Sequence, residues 1–358
     1  RLDYTDSSCP ALLLEPQRTN LINASEYFNG ADWINVRVTA TENEAISPEG
    51  VQNATQLNFT GTGYKRFEQN TSNNQTACTT SIFMKYINHP IVMARMDSTS
   101  GASYAWFNIQ TGEVLKVDGA NGAVPDPIAS VDDYGDGWYR LNTTQNSTAS
   151  NQEIFWYFVP DTDTTTGGWT GSGSAYAYGA QFEEGSYATS YIPTYGTSVT
   201  RNLETCNVNS VSNVPTAYPF IINLEAYHTL NTTTGAIGFY DNSNQYYYYS
   251  IQLGSNNKIV AESRPEGVTQ NVLSSSSTYT EGFHKIAVLF ENDTTMKLYI
   301  NGELQGTKND CVNNSFNTGF SDYVIGVYRS INTNPCSIRN VKIFNNALSN
   351  EELIDLTT

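Results

Sequence analysis

Short strand-like runs recur along the whole of this 358-residue chain, and they restrict its fold more than any other feature. The runs are rich in Val, Ile, Thr, Tyr and Phe, as in Ser81–Tyr86 and Ile154–Val159, and clusters of Gly, Asn, Asp and Ser separate them at intervals of about 8 to 12 residues. A helical pattern is confined to Ser349–Leu356, where Ser349 or Asn350 is the expected cap. The pattern predicts an all-β protein.

The chain length and one polar stretch predict two domains. At roughly 150 residues per domain, the chain has room for two separate cores. The strand pattern stops around Thr200–Pro215, whose composition is typical of a linker. We therefore expect two antiparallel β-sandwich (jelly-roll) domains in tandem, at residues 21–201 and 206–358, with a connecting segment at residues 1–20 and a linker at residues 202–215.

The charge balance excludes several classes of partner. Asp and Glu total 35 against 18 Lys and Arg, which gives a formal net charge of −17. Nucleic acids and anionic membranes are bound through clustered Lys and Arg, so we expect no nucleic-acid partner. No apolar run approaches the roughly 18 residues of a membrane-spanning helix, and we expect no membrane insertion. The aromatic content of 12% provides enough large apolar surface for folded cores.

The sequence contains no recognised catalytic motif. It lacks a Gly-x-Ser-x-Gly nucleophile elbow, a His-Glu-x-x-His zinc motif and a phosphate-binding loop. The three histidines, His89, His228 and His284, lie far apart in the sequence. Glu183 and Glu184 are neighbours in a predicted strand and should point to opposite faces, so we do not expect them to flank one glycosidic bond. We therefore predict no catalytic residue and a protein that is not an enzyme.

For two small groups of residues, the sequence does not decide between a calcium site and a turn, or between a disulfide and free thiols. Asp132, Asp133 and Asp136 lie beside glycines and could ligate calcium, although Asp-Gly before a strand is more typical of a turn. Calcium is the one cofactor left open, and no other is expected. Of the five cysteines, only Cys311 and Cys336 invite pairing, and free thiols are the favoured interpretation.

Aromatic side chains are the remaining functional signal, because a flat ring stacks on the apolar face of a sugar. Trp169 lies in a loop rich in Gly and Thr, where no strand pattern requires its burial. Tyr246, Tyr247, Tyr248 and Tyr249 are consecutive in a predicted strand, so two of them should point outward, toward a glycan or a subunit contact. We predict these five residues as glycan-binding. The other tryptophans lie within strand patterns and are expected in the core: Trp33, Trp106, Trp138 and Trp156.

Three strings in the first half together resemble a known family of modules. They are LLLEPQRTN (Leu12–Asn20), GDGWYRL (Gly135–Leu141) and YGAQFEEGSYATSYIPTYGTSVTR (Tyr178–Arg201). In this order and at this separation, they resemble the jelly-roll, carbohydrate-binding-like modules of bacteriophage tail fibres and other virion proteins. The opening Arg1–Thr5 also resembles the segment that joins such a module to an upstream part of a fibre, which implies a fragment of a longer gene product.

The second half is similar to a laminin-G or concanavalin-type jelly-roll module. GFHKIAVLFENDTTMKLYINGEL (Gly282–Leu304) has the strand, turn, strand and Asn-Gly hairpin layout of that family. SIRNVKIFNNALSNEEL (Ser337–Leu353) resembles its last strand and closing helical turn. Phe283 stands where a Trp is frequent in the family, and a full calcium ligand set is not matched. Independently of the family, Asn301-Gly302 has the composition of a type I′ hairpin turn.

The resemblances imply a non-enzymatic bacteriophage virion protein, a tail-fibre or capsid-fibre segment that binds a glycan on the host surface. They also imply location in the virion, other virion proteins as partners, and a homo-oligomer with a trimer as the expected state. The net charge of −17 favours a neutral or cationic glycan over a sulfated or phosphorylated one. Two alternatives stay open at this point: a secreted bacterial glycan-degrading enzyme or its accessory carbohydrate-binding module, and an architectural fibre segment without a ligand.

Overall fold

The chain forms two compact units. The computed structural model describes residues 2–3, 10–73, 77–119, 124–146, 152–163, 169–204, 206–208, 215–229, 232–241, 244–264, 270–312, 320–326 and 336–358. One unit comprises Arg18–Arg201 and is called the inserted unit here. The other, the discontinuous unit, comprises Arg1–Gln17 together with Asn202–Thr358, so its chain is interrupted by the whole of the inserted unit.

Strands provide nearly all of the regular structure in the described residues. The discontinuous unit begins with β1 (Leu2–Asp3) and β2 (Ala11–Leu14). The inserted unit contains β3 (Arg18–Asn20), β4 (Trp33–Val36), β5 (Val38–Ile46), β6 (Gln52–Phe59), β7 (Thr62–Gly63), β8 (Arg66–Asn73), β9 (Ala77–Tyr86), β10 (Ile91–Ser98), β11 (Gly101–Asn108), β12 (Glu113–Gly119), β13 (Ile128–Asp133), β14 (Trp138–Asn146), β15 (Gln152–Phe158), β16 (Trp169–Thr170), β17 (Gly173–Glu184) and β18 (Val199–Arg201). The discontinuous unit continues with β19 (Cys206–Val208), β20 (Phe220–His228), β21 (Thr234–Asp241), β22 (Asn244–Leu253), β23 (Ile259–Arg264), β24 (Asn271–Ser274), β25 (Gly282–Phe290), β26 (Met296–Ile300), β27 (Glu303–Lys308), β28 (Phe320–Ile325), β29 (Cys336–Phe344) and the helix α1 (Asn350–Thr357).

Two six-stranded antiparallel sheets enclose the core of the inserted unit. Their strand orders are β12-β11-β10-β15-β8-β4 and β13-β14-β9-β17-β6-β5. Alternation along each strand sends one set of side chains inward. On β9, for example, Ile82 and Met84 join the core between the sheets, whereas Phe83 packs in a separate cluster with Trp138 and Tyr178. The four tryptophans that the strand patterns placed in the core are all buried, as predicted.

The discontinuous unit is a second sandwich. A seven-stranded sheet in the order β1-β2-β29-β20-β25-β26-β27 faces a six-stranded sheet in the order β19-β28-β21-β22-β23-β24. Phe220 and Ile222 from the first sheet share a core with Ile251 from the second. Ile221 points the other way, onto the outer face of the seven-stranded sheet, where Leu353 of α1 covers it. The prediction of an all-β protein with antiparallel sandwiches is confirmed.

Two local elements follow the sequence closely. The Ser349 side chain caps α1 by accepting a hydrogen bond from the Glu352 N–H, and the Glu352 side chain accepts one from the Ser349 N–H, which completes a capping box. Asn301 and Gly302 have φ angles of 49° and 80°, the conformation expected for a type I′ turn between β26 and β27. Among the described residues, no helix has the length and hydropathy of a membrane span.

The start of the chain differs from the expected connecting segment. Ala11–Leu14 forms β2 and pairs antiparallel with β29, with Leu12 opposite Ile338 and Leu14 opposite Cys336. Leu14 enters the core of the discontinuous unit, where a Cβ on Gly326 would come within 2.2 Å of its Cδ1 atom. The three consecutive leucines therefore join a sheet in which every strand except β1 and β2 lies more than 200 residues later.

Candidate functional site

The predicted tyrosine run does not provide a described surface for ligand. Tyr248 and Tyr249 on β22 are each 1% exposed. The Tyr249 ring packs edge-on against Phe220 and Phe290, with ring centroids 5.1 and 5.0 Å apart. Alternation does point the two side chains to opposite faces, but both faces of the sheet are covered at this place. The side chains of the other two members, Tyr246 and Tyr247, lie outside the described residues.

Trp169 is half-buried and is held by its own chain. The ammonium of Lys65 lies 3.9 Å from the centre of the indole, and the His89 ring stacks on the indole at 5.6 Å. Its indole N–H donates a hydrogen bond to the Phe158 carbonyl at 3.2 Å. A Cβ on Gly171 would come within 2.0 Å of the indole Cζ3 atom. These contacts give Trp169 a packing role that the loop composition did not reveal.

The Asp132–Asp136 segment has the geometry of a turn. Asp133 accepts a hydrogen bond from the Gly135 N–H at 2.8 Å, and Asp136 has a φ of 50°. Asp132 accepts a hydrogen bond from the Asn142 side chain at 2.9 Å. Within the described ranges, no group of three or more His, Cys, Asp or Glu side chains is arranged to hold a metal ion.

The two candidate acids differ in exposure, and the two candidate cysteines are not joined by a disulfide. Glu183 is fully buried and accepts hydrogen bonds from the backbone N–H and the hydroxyl of Thr189 at 2.8 and 2.7 Å, whereas Glu184 is exposed. Cys311 and Cys336 are buried free thiols, and burial raises the pKa of Cys336 to about 12. None of these groups forms a reactive pair with its predicted neighbour.

Two exposed aromatic rings, one of them with a polar partner, lie together elsewhere in the inserted unit. Tyr195 is 64% exposed and Tyr27 is 45% exposed. Their ring centroids are 6.1 Å apart, with an angle of 62° between the ring planes. The Tyr195 hydroxyl reaches the carboxyl group of Glu26 at 3.3 Å, and Glu26 directly precedes Tyr27 in the chain. We call Tyr27, Tyr195 and Glu26 the tyrosine site.

Two irregular segments hold the tyrosine site in place. Residues 21–28 follow β3, and residues 191–196 follow β17. The backbone N–H of Ser25 donates to the Thr194 carbonyl at 3.3 Å, and the Thr194 N–H donates to the Ser25 hydroxyl oxygen at 2.9 Å. Both residues are buried, so these hydrogen bonds fix the backbone that carries the exposed tyrosines.

Only one oxygen of the Glu26 carboxyl group accepts hydrogen bonds from the described residues. Its Oε1 atom accepts hydrogen bonds from the hydroxyls of Tyr191 at 3.0 Å and of Tyr178 and Tyr195 at 3.3 Å. Its Oε2 atom has no hydrogen-bond partner among the described residues and is not fully shielded from solvent. The site therefore offers a fixed hydrogen-bond acceptor next to two accessible rings.

Burial sets the electrostatics of the tyrosine site. It raises the pKa of Glu26, the tyrosine hydroxyls oppose that rise, and the nearby Glu49 carboxylate adds to it. Burial and the charge of Glu26 raise the pKa of Tyr195, which keeps its hydroxyl protonated as a donor. A ring face with an adjacent acceptor suits a sugar, whose C–H face packs on the ring while a hydroxyl donates to the carboxylate.

The sequence did not single out these residues. Tyr195 lies inside the Tyr178–Arg201 string that carried the resemblance, but no local pattern marks its ring as exposed. Glu26 is 169 residues away from it and meets it only through the fold.

Part of the second half of the chain matches a known family. Residues 211–354 match Laminin_G_3, the Concanavalin A-like lectin/glucanases superfamily. This match confirms the expected laminin-G or concanavalin-type module in the second half. No curated protein matches the chain.

Several solved structures are similar to part of the chain. They include the CBM40 of the Ruminococcus gnavus IT-sialidase (16% identity, 43% of this chain and 97% of that chain, TM-score 0.35). A heptameric SAP-like pentraxin from Limulus polyphemus is similar over 42% of this chain and 75% of that chain (12% identity, TM-score 0.35). The botulinum neurotoxin serotype G binding domain is similar over 42% of this chain and 39% of that chain (14% identity, TM-score 0.34).

Proposed function

We propose that this protein is a non-enzymatic, glycan-binding component of a bacteriophage virion, in a tail fibre or capsid fibre, and that the tyrosine site binds the glycan. The observation that carries the binding role is the exposed Tyr195 ring, which lies beside the exposed Tyr27 ring and whose hydroxyl bonds Glu26 Oε1 while Glu26 Oε2 has no described partner. The virion context rests on the three strings between Leu12 and Arg201 that resemble fibre modules. The lectin description of the family matched by residues 211–354 supports carbohydrate recognition by the chain as a whole.

The arrangement of Glu26 favours binding over hydrolysis. Glycoside hydrolysis uses two carboxyl groups placed about 5 to 10 Å apart across the bond that is cut. Three phenol hydroxyls fix one oxygen of Glu26, so this group is suited to orient a sugar hydroxyl. The carboxylate of Glu49 is close enough to raise the pKa of Glu26. Glu49 is exposed, so it adds negative charge at the edge of the tyrosine site.

The charge of the tyrosine site selects the ligand class. Glu26 and Glu49 place negative charge beside the rings of a protein whose net charge is −17. An anionic chain would approach against like charge, whereas a neutral sugar or an amino sugar would not. The ligand is a neutral or cationic glycan. An open surface of this kind buries little of each sugar, so several copies in a homotrimer provide the avidity.

A glycan array followed by paired variants tests the binding role. The intact protein is screened, and the selected glycan is titrated against Tyr195→Ala, Tyr27→Ala and Glu26→Gln. Tyr64→Ala is the matched control, because Tyr64 lies in the same unit and is 46% exposed, close to the 45% of Tyr27. We expect Tyr195→Ala to weaken binding about tenfold or more, equivalent to about 1.4 kcal/mol.

Three outcomes would count against the proposal. Unchanged binding by Tyr195→Ala, Tyr27→Ala and Glu26→Gln would remove the tyrosine site. Release of new reducing ends from the bound glycan would show an enzyme. A monomer at micromolar concentration in light scattering would contradict the homotrimer.

A further inference from the structure

A cleft lies in the discontinuous unit, on the outer face of its seven-stranded sheet. It has a volume of about 310 Å³ and is lined by Glu225, Phe283, Lys285, Asn301, Arg339 and the end of α1 at Thr357 and Thr358. Ile221 and Leu289 on the same outer face are covered by α1, and the cleft opens where that cover ends. We call it the arginine cleft.

Strand register brings three charged residues together in the arginine cleft. Glu225 on β20 lies opposite Lys285 on β25 and opposite Arg339 on β29. Two residues along, Tyr227 lies opposite Phe283, and their rings meet edge to face at 5.3 Å. The side chains of the cleft thus bring two cations and one anion together, in a chain whose total charge is −17.

A β-bulge aims two consecutive side chains at one carboxylate. The register between β20 and β29 shifts between Asn223 and Glu225, and Asn340 takes a φ of 55°, which is uncommon for a residue other than glycine. As a result, Arg339 Nε donates to Glu225 Oε2 at 2.8 Å, and Asn340 Nδ2 donates to Glu225 Oε1 at 2.7 Å. Glu225 is thereby occupied at both oxygens.

This arrangement leaves the outer end of the Arg339 guanidinium available. The group lies over the Phe283 ring at 4.0 Å, a cation–π contact that fixes its plane. Its Nη1 and Nη2 atoms have no hydrogen-bond partner among the described residues and are not fully shielded from solvent. Lys285 Nζ donates to the Thr358 carbonyl at 2.7 Å and has two further N–H groups.

We propose that the arginine cleft binds the carboxylate of an acidic saccharide, with the two Nη atoms of Arg339 as a bidentate fork and Lys285 as a second donor. The Arg339 and Lys285 cations attract a monoanion, whereas the Glu225 carboxylate disfavours a phosphate dianion. The planar fork matches a planar carboxylate in two parallel hydrogen bonds. The volume lies at the small end of ligand sites and suits a single sugar residue.

The arginine cleft and the tyrosine site select different ligands and stand independently. Glu26 and Glu49 disfavour anions at the tyrosine site, whereas Arg339 and Lys285 attract them at the cleft. The protein would then bind a neutral or cationic sugar in the inserted unit and an acidic sugar in the discontinuous unit.

Titration of the intact protein with sugars, monitored by amide chemical shifts, tests the arginine cleft. The first three sugars differ only in the group at C6. Galacturonate carries a carboxylate at C6, galactose carries a hydroxyl there, and galactose 6-sulfate carries a tetrahedral monoanion. Glucuronate tests whether ring stereochemistry matters. We expect both uronates to shift the amides of Lys285 and Arg339, with binding at least tenfold tighter than for galactose and tighter than for the sulfate.

Variants separate recognition from folding. Arg339→Gln should weaken uronate binding at least tenfold, and Arg339→Lys should recover only part of the loss because it keeps the charge without the fork. Because both leave Glu225 with a changed partner, Lys285→Gln is the second variant, and Lys297→Gln is its matched control, since Lys297 pairs with Glu291 outside the cleft. Tyr195→Ala should leave uronate binding unchanged, so failure of one site does not mask the other.

The proposal is overturned by any of three results. Neither uronate shifts the cleft amides at millimolar concentration, galactose or its sulfate binds as tightly as galacturonate, or folded Arg339→Gln and Lys285→Gln proteins bind uronate like the parent protein.

Discussion

Replacement of Trp169 by alanine should destabilise the inserted unit by about 3 to 4 kcal/mol, because the indole is held by packing and polar contacts. The hydrogen bond from its N–H to Phe158 contributes about 1 kcal/mol, and the cation–π contact with Lys65 at 3.9 Å contributes about 1 kcal/mol. Burial of part of the indole against Phe59 and its neighbours adds about 1.5 to 2 kcal/mol. Trp169→Phe keeps a ring and loses the N–H, so it should cost less.

Tryptophan fluorescence is a selective assay for this prediction. All five tryptophans lie between residues 18 and 201, so fluorescence-monitored urea unfolding reports on the inserted unit alone. The folded Trp169→Ala protein should bind the array-selected glycan as the parent does. Unfolding of Trp169→Ala at the parent's urea concentration would contradict the packing role. A stable variant that loses glycan binding would make Trp169 a surface ligand residue.

Three further predictions concern stability. Burial, and then the charge of His284, lower the pKa of His228 in the folded state, while the unfolded chain takes a proton below about pH 6.5. Circular dichroism should therefore show the discontinuous unit losing stability as pH falls below about 6.5, by up to about 1.4 kcal/mol per pH unit, and His228→Gln should flatten that slope. Gly171→Ala should displace the Trp169 ring and lower the fluorescence-monitored unfolding midpoint, and an unchanged midpoint would contradict the close contact. Ser349→Ala should cost the discontinuous unit about 1 kcal/mol in thermal unfolding, whereas Ser349→Asp should be nearly neutral.

Local chemistry was predictable from the sequence. A capping box needs only Ser349 and Glu352 three residues apart, and a type I′ turn needs only Asn301 followed by Gly302. Strand alternation placed four tryptophans in the core for the same reason, because the pattern repeats within one strand.

Long-range assembly was not predictable in the same way. Alternation showed that Tyr248 and Tyr249 point to opposite faces, but it carries no information about what covers each face. The Leu12–Leu14 run looked like part of a connecting segment because its partner strand begins at Cys336. The tyrosine site joins Glu26 to Tyr195 across most of the inserted unit, and no periodic signal connects them.

The most direct test of the account is a crystal structure of the intact protein with the array-selected glycan. We expect a sugar ring stacked on Tyr195, with one hydroxyl within about 3 Å of Glu26 Oε2. A glycan bound elsewhere on the inserted unit, with the Tyr195 ring and Glu26 Oε2 both left open to solvent, would contradict it.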